Sequence, residues 1–363
     1  MRLDDYLWAA PKAELHVHLE GAIQPATLLA LARRNNVELP VTTLDEARTW
    51  MTYHDFESFC RVFMTCARCL RSAADYERVA YECGAALARQ NIQYAEVTFS
   101  PCMHRYDHGV VQETYFSGLT AGRARAHAEF GITLNWVFDI VRDIVDPIER
   151  RRRADYAVAV AIEGKADGVV ALGLGGAEDG YPPEQFAPWF ERARAAGLHS
   201  TPHAGEGAGP ESIWGAVRAL GAERIGHGVR AIEDPTLVAY LAEQGIALEV
   251  CPTSNVRLGI YRDYADHPLA RLHAAGVPIT VNSDDPCLFG ATLTDEVALL
   301  DTRFGLDVTG IDEILLNGVR HSFLPAAQKR TLEAAWRGEM ARLRNPQEIS
   351  NGDYGLEDES VES

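Results

Sequence analysis

Runs of apolar and β-branched residues that break off into short polar clusters recur along this chain, and that recurrence restricts its architecture more than any other feature. The clusters read His16-Val17-His18-Leu19-Glu20-Gly21, Leu174-Gly175-Gly176-Ala177-Glu178, His203-Ala204-Gly205-Glu206, Gly226-His227-Gly228 and Asn282-Ser283-Asp284-Asp285-Pro286. A strand emptying into an active-site loop has this form, and groups so far apart in sequence meet where parallel strands share one rim. Strand-then-helix alternation gives eight candidate strands, centred near Leu15, Glu96, Trp136, Ala171, Thr201, Ile225, Leu248 and Thr280. Eight is the number a closed parallel barrel requires, so the expected fold is an α/β (β/α)8 TIM barrel with its chemistry on one rim.

At 363 residues the chain is long for one domain but ordinary for such a barrel. A single barrel domain over residues 1–343 is expected, followed by an acidic tail over 344–363 whose polar, aperiodic composition suits disorder. Extra helices are expected in two places. The first connection, Gly21 to about Gln90, is too long for one crossover helix, and Leu293 to about Leu343 reads as further helices after the last strand. Helix boundaries are clear at Asp234-Pro235 and Gly245, and again at Pro210 and Gly221. Within the first connection Phe56, Phe59, Phe63 and Cys66 recur at helical spacing. That face can pack on the barrel, cover the ligand, or do both.

Composition removes several functions. The formal net charge of -18 opposes phosphate backbones and anionic membranes. The dense basic run Arg150 to Arg153 follows Asp143, Asp146 and Glu149 and reads as a solvated helix face, so neither nucleic acid nor membrane is an expected partner. Met1 to Ala10 has neither the basic start nor the apolar stretch of a secretory signal, which makes the cytoplasm the expected compartment. Seven cysteines fit reduced thiols, and the Cys66/Cys69 CxxC, in a helix-periodic apolar stretch, fits buried packing rather than metal or redox work.

Residues two apart in a strand point to one face, so His16 and His18 can both project into a barrel mouth as imidazole ligands. Alone, such a pair is as readily a rim or core feature. His203, ending the fifth strand, and Asp284, ending the eighth, complete three imidazoles and one carboxylate, a set suited to one Zn²⁺ with a water. The three lysines, Lys12, Lys165 and Lys329, are poorly placed to bridge two metals, so one zinc per chain is expected. Asp284-Asp285 before Pro286 can also serve as a turn or helix cap. Glu206, three residues after His203, is the candidate general acid/base, and His227 can deprotonate or orient an attacking water, or be a buried structural histidine. Gly175 and Gly176 suit either a tight turn or the close approach of a flat ligand to backbone.

The segments PKAELHVHLEGAIQPATLL, YAEVTFSP, LGLGGAE, TPHAGE, RIGHGVR, LEVCPTSN and ITVNSDDP, in this order, resemble the adenosine deaminase family of zinc purine deaminases over nearly the whole chain. The resemblance implies zinc on His16, His18, His203 and Asp284, Glu206 as proton donor to purine N1, and His227 as partner of the attacking water. It further implies that Gly176 and Asp285 read the ring at N3 and N7, and that His18 and Glu20 line the substrate. The reaction implied is hydrolytic deamination at C6 of a small-molecule 6-aminopurine, with adenosine or 2′-deoxyadenosine first. Glu20 departs from the Asp that adenosine deaminases usually carry, and the extra methylene moves the carboxylate by about 1.5 Å. Adenine and aminodeoxyfutalosine, an adenine nucleoside extended at its 5′ end, are therefore the rival substrates. A catalytically silent purine-binding barrel is the non-enzymatic rival, and an amidohydrolase of cyclic amides or esters is another enzyme reading that shares the HxH start.

Overall fold

The computed structural model describes residues 2–52 and 56–345, without the side chains of residues 56 and 57. Its strands are β1 (Lys12–His18), β2 (Ile92–Phe99), β3 (Thr133–Val141), β4 (Val169–Gly175), β5 (His199–Ala204), β6 (Arg224–His227), β7 (Ala247–Val250) and β8 (Ile279–Val281). They pair in sequence order, each parallel to the next. All eight expected strand centres fall inside a strand. The strands are buried on both faces, as a barrel wrapped by helices demands.

The closure between β8 and β1 differs from expectation in one respect. Asp284 does not end the last strand, which stops at Val281. It lies three residues beyond, where a single parallel bridge joins it to Val17. The His18 amide donates to the Asp284 carbonyl at 2.8 Å, and the Asp284 amide to the His16 carbonyl at 3.1 Å. Before these points along both segments, the Asn282 side chain accepts from the Leu15 amide at 3.0 Å, so a side chain stands in for one rung of the ladder. This seam binds Asp284 directly to the strand that carries the two histidines.

Four helices fill the first connection, at Pro25–Arg34, Leu44–Trp50, Phe56–Arg68 and Ala73–Ala88. Three more, Leu293–Thr302, Val308–Arg320 and Ala326–Arg344, follow β8 and the short Pro286–Phe289 turn of helix. The punctuation read from sequence holds: Asp234 caps the helix Pro235–Gln244 through the Thr236 amide, and Gly245 and Gly221 end their helices at φ 66° and 61°. Cys66 and Cys69 are buried free thiols at the end of Phe56–Arg68. Most of the expected acidic tail, residues 346–363, and the Phe56 side chain lie outside the described part. Among the described residues no helix is long and apolar enough to cross a membrane.

Inside the barrel, below the rim, Arg224 of β6 reaches across to Glu96 of β2 and sideways to Glu249 of β7. Thr201 of β5 donates to the same Glu249 at 2.8 Å. Arg224 thus gives each of the two buried carboxylates an opposite charge in contact, the condition for placing ions in a barrel core.

Candidate metal centre and active site

His16, His18 and His203 present ring nitrogens all within 4.8 Å of one another at the C-terminal rim of the barrel. Asp284 Oδ1 lies 3.6 Å from His16 Nε2 and 3.3 Å from His18 Nε2. The four candidate ligands, from β1, β5 and the seam after β8, thus converge on one point. His16 Nε2 and His203 Nδ1 are buried without a hydrogen-bond partner, and His16 Nε2, which faces Asp284, has a lone pair for an ion to take. Burial holds the His203 imidazole well below its ordinary range, keeping it a neutral donor. Burial opposes protonation of His16 as well, yet Asp284 and Glu249 outweigh it and push that ring up to about 10. The carboxylates favour positive charge here, as a cation site requires. An overlapping group, His16, His227 and Cys251, is a poorer set, because burial pushes the Cys251 thiol well up and keeps it protonated.

Glycine makes the crowding sterically feasible. A Cβ on Gly226 would stand 2.9 Å from His16 Cε1 and 3.1 Å from the His203 backbone. Asp284 and His227 themselves adopt φ of 62° and 57°, the left-handed region that non-glycine residues enter at a cost of about 1–3 kcal/mol. His227 is held there by the end of β6 and Asp284 by its bridge to β1.

The ligand side chains are oriented from behind. His16 Nδ1 lies 2.8 Å from Glu249 Oε2, so Nδ1 carries the proton and Nε2 faces the centre. Glu249, itself fixed by Arg224 and Thr201, escaped the sequence reading. Its signal is only one polar residue in the buried β7 run ALEV. Replacing it, Glu249→Gln, is expected to lower zinc affinity by roughly 10- to 100-fold, measured by competition with a chromophoric chelator. Unchanged affinity would sever Glu249 from the centre.

Glu206 and His227 stand together above the ligands. His227 Nε2 is 3.7 Å from Glu206 Oε2 and 3.9 Å from Asp284 Oδ2. The Asn255 amide lies 3.1 Å from His227 Nδ1 and donates to it, which leaves the hydrogen on Nε2. Burial drives His227 down to about 4, so it is neutral near pH 7. Of the two roles open to it, orienting a water by donation suits this tautomer better than taking a proton. Glu206 is pushed up to about 8 by burial, with Asp284 and Glu178 adding to the effect, and its Oε1 is buried without a partner. It is a carboxylic acid with a proton to give.

Asp285 lines the same pocket and is likewise raised well above the usual carboxylate range, by burial first and then by Asp284. Its Oδ1 lacks a partner, and Gly21 makes room for it, since a Cβ there would fall 1.8 Å away. Gly176, exposed after β4 at φ +89°, is backed by Asp143, whose Oδ1 would be 2.4 Å from a Cβ at this position. From the helix Phe56–Arg68, Phe63 meets His18 edge-on at 6.1 Å while Phe59 stacks on Phe289 at 5.3 Å. This helix therefore packs on the barrel and borders the site at once. Lys12, Lys165 and Lys329 all bond to backbone carbonyls elsewhere.

The sequence profile of the adenosine deaminase family matches residues 11–335. The chain belongs to the adenosine deaminase family. Membership makes it a hydrolase acting on C–N bonds of cyclic amidines. Within the family it is 39% identical to an aminodeoxyfutalosine deaminase of Streptomyces coelicolor, over 92% of this chain and 87% of that protein. The crystal structure of an adenine deaminase from Arthrobacter aurescens superposes with a TM-score of 0.83 at 33% identity, covering 92% of this chain and 99% of that one. An amidohydrolase from Burkholderia ambifaria, with bound Zn, superposes with a TM-score of 0.85 at 29% identity, covering 94% of each. An amidohydrolase that shares the fold thus bears zinc, and the donor set described above fits a metal.

One further feature separates this adenosine deaminase family member from the sequence expectation. Glu20 is fully buried, and its Oε1 is held by His104 Nε2 at 2.9 Å. The other nitrogen of His104 is 2.8 Å from the Tyr76 hydroxyl, and Phe99 stacks on the ring at 4.6 Å. Glu20 Oε2 has no partner. His104 went unassigned in the sequence because it follows the YAEVTFSP segment by three residues, in a helical turn that carries no ligand pattern.

Proposed function

We propose that this protein hydrolytically deaminates a 6-aminopurine at C6, with an adenine nucleoside extended at the 5′ end, as in aminodeoxyfutalosine, as first substrate and free adenine as second. The convergence of His16, His18, His203 and Asp284 beneath the protonated Glu206 carries the reading. The sequence put adenosine first. The relatives at 33–39% identity named above are aminodeoxyfutalosine and adenine deaminases, and Glu20 departs from the shorter acid usual in adenosine deaminases.

One zinc per chain would be held by the three histidines and Asp284, and when bound it supplies a water acidic enough to add to C6 near neutral pH. Glu206 delivers its proton to N1 as C6 becomes tetrahedral, so that the ring never holds a full negative charge. His227 donates from Nε2 and fixes the direction of the attacking oxygen. Asp285, protonated, donates to N7, and the Gly176 amide donates to N3, so the ring is gripped on both edges. Glu206, now a carboxylate, takes the proton from the new C6 hydroxyl and passes it to the amino group, so that ammonia leaves a 6-oxopurine.

The test incubates zinc-loaded protein with aminodeoxyfutalosine, adenine, adenosine and 2′-deoxyadenosine, following 6-oxopurine and ammonia. Turnover of none rejects deamination, and a purine-binding barrel becomes the better reading; adenosine as the best substrate rejects the substrate assignment. For Glu20→Asp the ratio of kcat/KM for adenosine over adenine is expected to rise about tenfold, the worth of one hydrogen bond to a charged group. The shorter acid withdraws from His104 and better matches a contact to the 5′-hydroxyl of an unextended ribose. An unchanged ratio clears Glu20 of any part in the choice.

A further inference from the structure

The loop that carries Glu206 is glycine-rich, with Gly205, Gly207 and Gly209 around the acid, and a chain of that composition does not hold a side chain in place by itself. Something else must fix it. The buried Glu178, three residues beyond the end of β4, spends its whole carboxylate on this loop. Oε1 accepts from the Glu206 amide at 2.8 Å and the Gly207 amide at 2.9 Å; Oε2 accepts from the Gly205 amide at 3.0 Å and from the Ser212 hydroxyl. Three successive amides pointing at one spot form the kind of concavity that binds anions, and here the anion is supplied by the chain itself. Gly205 reaches this turn at φ +72°, and a Cβ there would run 2.3 Å from Ile213.

Arg142, after β3, completes the arrangement from the other side. It is buried, with one terminal nitrogen 3.9 Å from Glu178 Oε2 and the other donating to the carbonyls of His203 and, at 3.2 Å, Leu174. Arginine thus grips the segment 203–207 by its first carbonyl, and glutamate grips it by its last three amides. Neither side chain was given a role from sequence, and both oxygens of Glu178 are engaged by the loop and Ser212.

We propose that Glu178, neutralised by Arg142, is the positioning residue that sets Glu206 over the reacting ring, so that proton delivery depends on a carboxylate that never touches the purine. The proposal rests on Glu206 being the acid of the deamination proposed above. Glu178→Gln turns one of the two acceptors into a donor facing amide hydrogens. Since a displacement of about 1 Å can cost on the order of 10²-fold, kcat is expected to fall about 10²-fold while KM stays within about threefold. Zinc content should stay at the wild-type value, and amide hydrogen exchange of the 203–212 segment should accelerate. In the Glu206→Gln background the same substitution should cost less than about threefold more, because a residue acting through Glu206 has nothing left to position.

An unchanged kcat, an equal loss in the Glu206→Gln background, or a loss that only tracks missing zinc would each overturn the proposal. Should Glu178→Gln fail to fold, Ser212→Ala removes one of the four bonds; a roughly fivefold lower kcat that disappears in the Glu206→Gln background is then expected, and no change overturns it. If the wild-type protein turns over no aminopurine, the deamination reading has failed. The exchange experiment still judges the clamp, since wild-type exchange rates in Glu178→Gln would refute it without any substrate.

Discussion

Stripping the protein with a chelator is expected to lower turnover by on the order of 10³-fold or more, and one equivalent of zinc per chain should restore it. The expectation follows from the rim. Three imidazoles and Asp284 are brought within a few ångströms of one another, and two of the ring nitrogens, His16 Nε2 and His203 Nδ1, have no protein partner. A buried polar atom left unpaired costs about 1–3 kcal/mol, so the fold has a use for that nitrogen that the protein alone does not satisfy. Asp284 is held in left-handed backbone by the seam to β1, a strain tolerated where function needs it. Elemental analysis and ammonia release on the same samples decide the matter. Full turnover in metal-free protein would remove the centre from the reaction, and a need for two equivalents would overturn the single ion.

For Glu206→Gln the expected loss is about 10² to 10⁴ in kcat, with zinc retained. The substitution keeps the size and the loop contacts of the side chain, because Glu178 binds the backbone of this segment rather than the Glu206 carboxyl. What it removes is the proton. Glu206 holds one near neutral pH because burial and the neighbouring Asp284 and Glu178 disfavour its charged form, whereas the amide has no proton of comparable acidity to release. Measured zinc content guards against a trivial loss, and kcat within a few-fold of wild type would exclude Glu206 as the acid.

Much of this was readable before any coordinate. The eight strands showed because each is a short apolar run followed by a polar cluster, and the parallel barrel is the arrangement that gives eight such runs a common rim. His16 and His18 were legible from period-two spacing, and Glu206 from its distance to His203. Other features were not. Asp284 sits beyond β8 instead of ending it, because Asn282 uses its side chain to fill a backbone rung, and no sequence pattern marks such a substitution. Glu249, His104, Arg142 and Glu178 gave no sequence signal because each meets its partner from a segment distant in the chain.

The order of residues by itself determined which side chains could be donors, acids and ligands, since hydrophobic period and polar punctuation are local properties of the chain. Tertiary structure alone decided which nitrogen of each histidine faces inward and which carboxylates keep their protons. It also decided which glutamate keeps an unpartnered oxygen and which one spends its carboxylate on backbone amides. Those outcomes depend on burial and on partners from strands far apart in sequence, and electrostatic free energy in a barrel interior is set by the distance between groups in space.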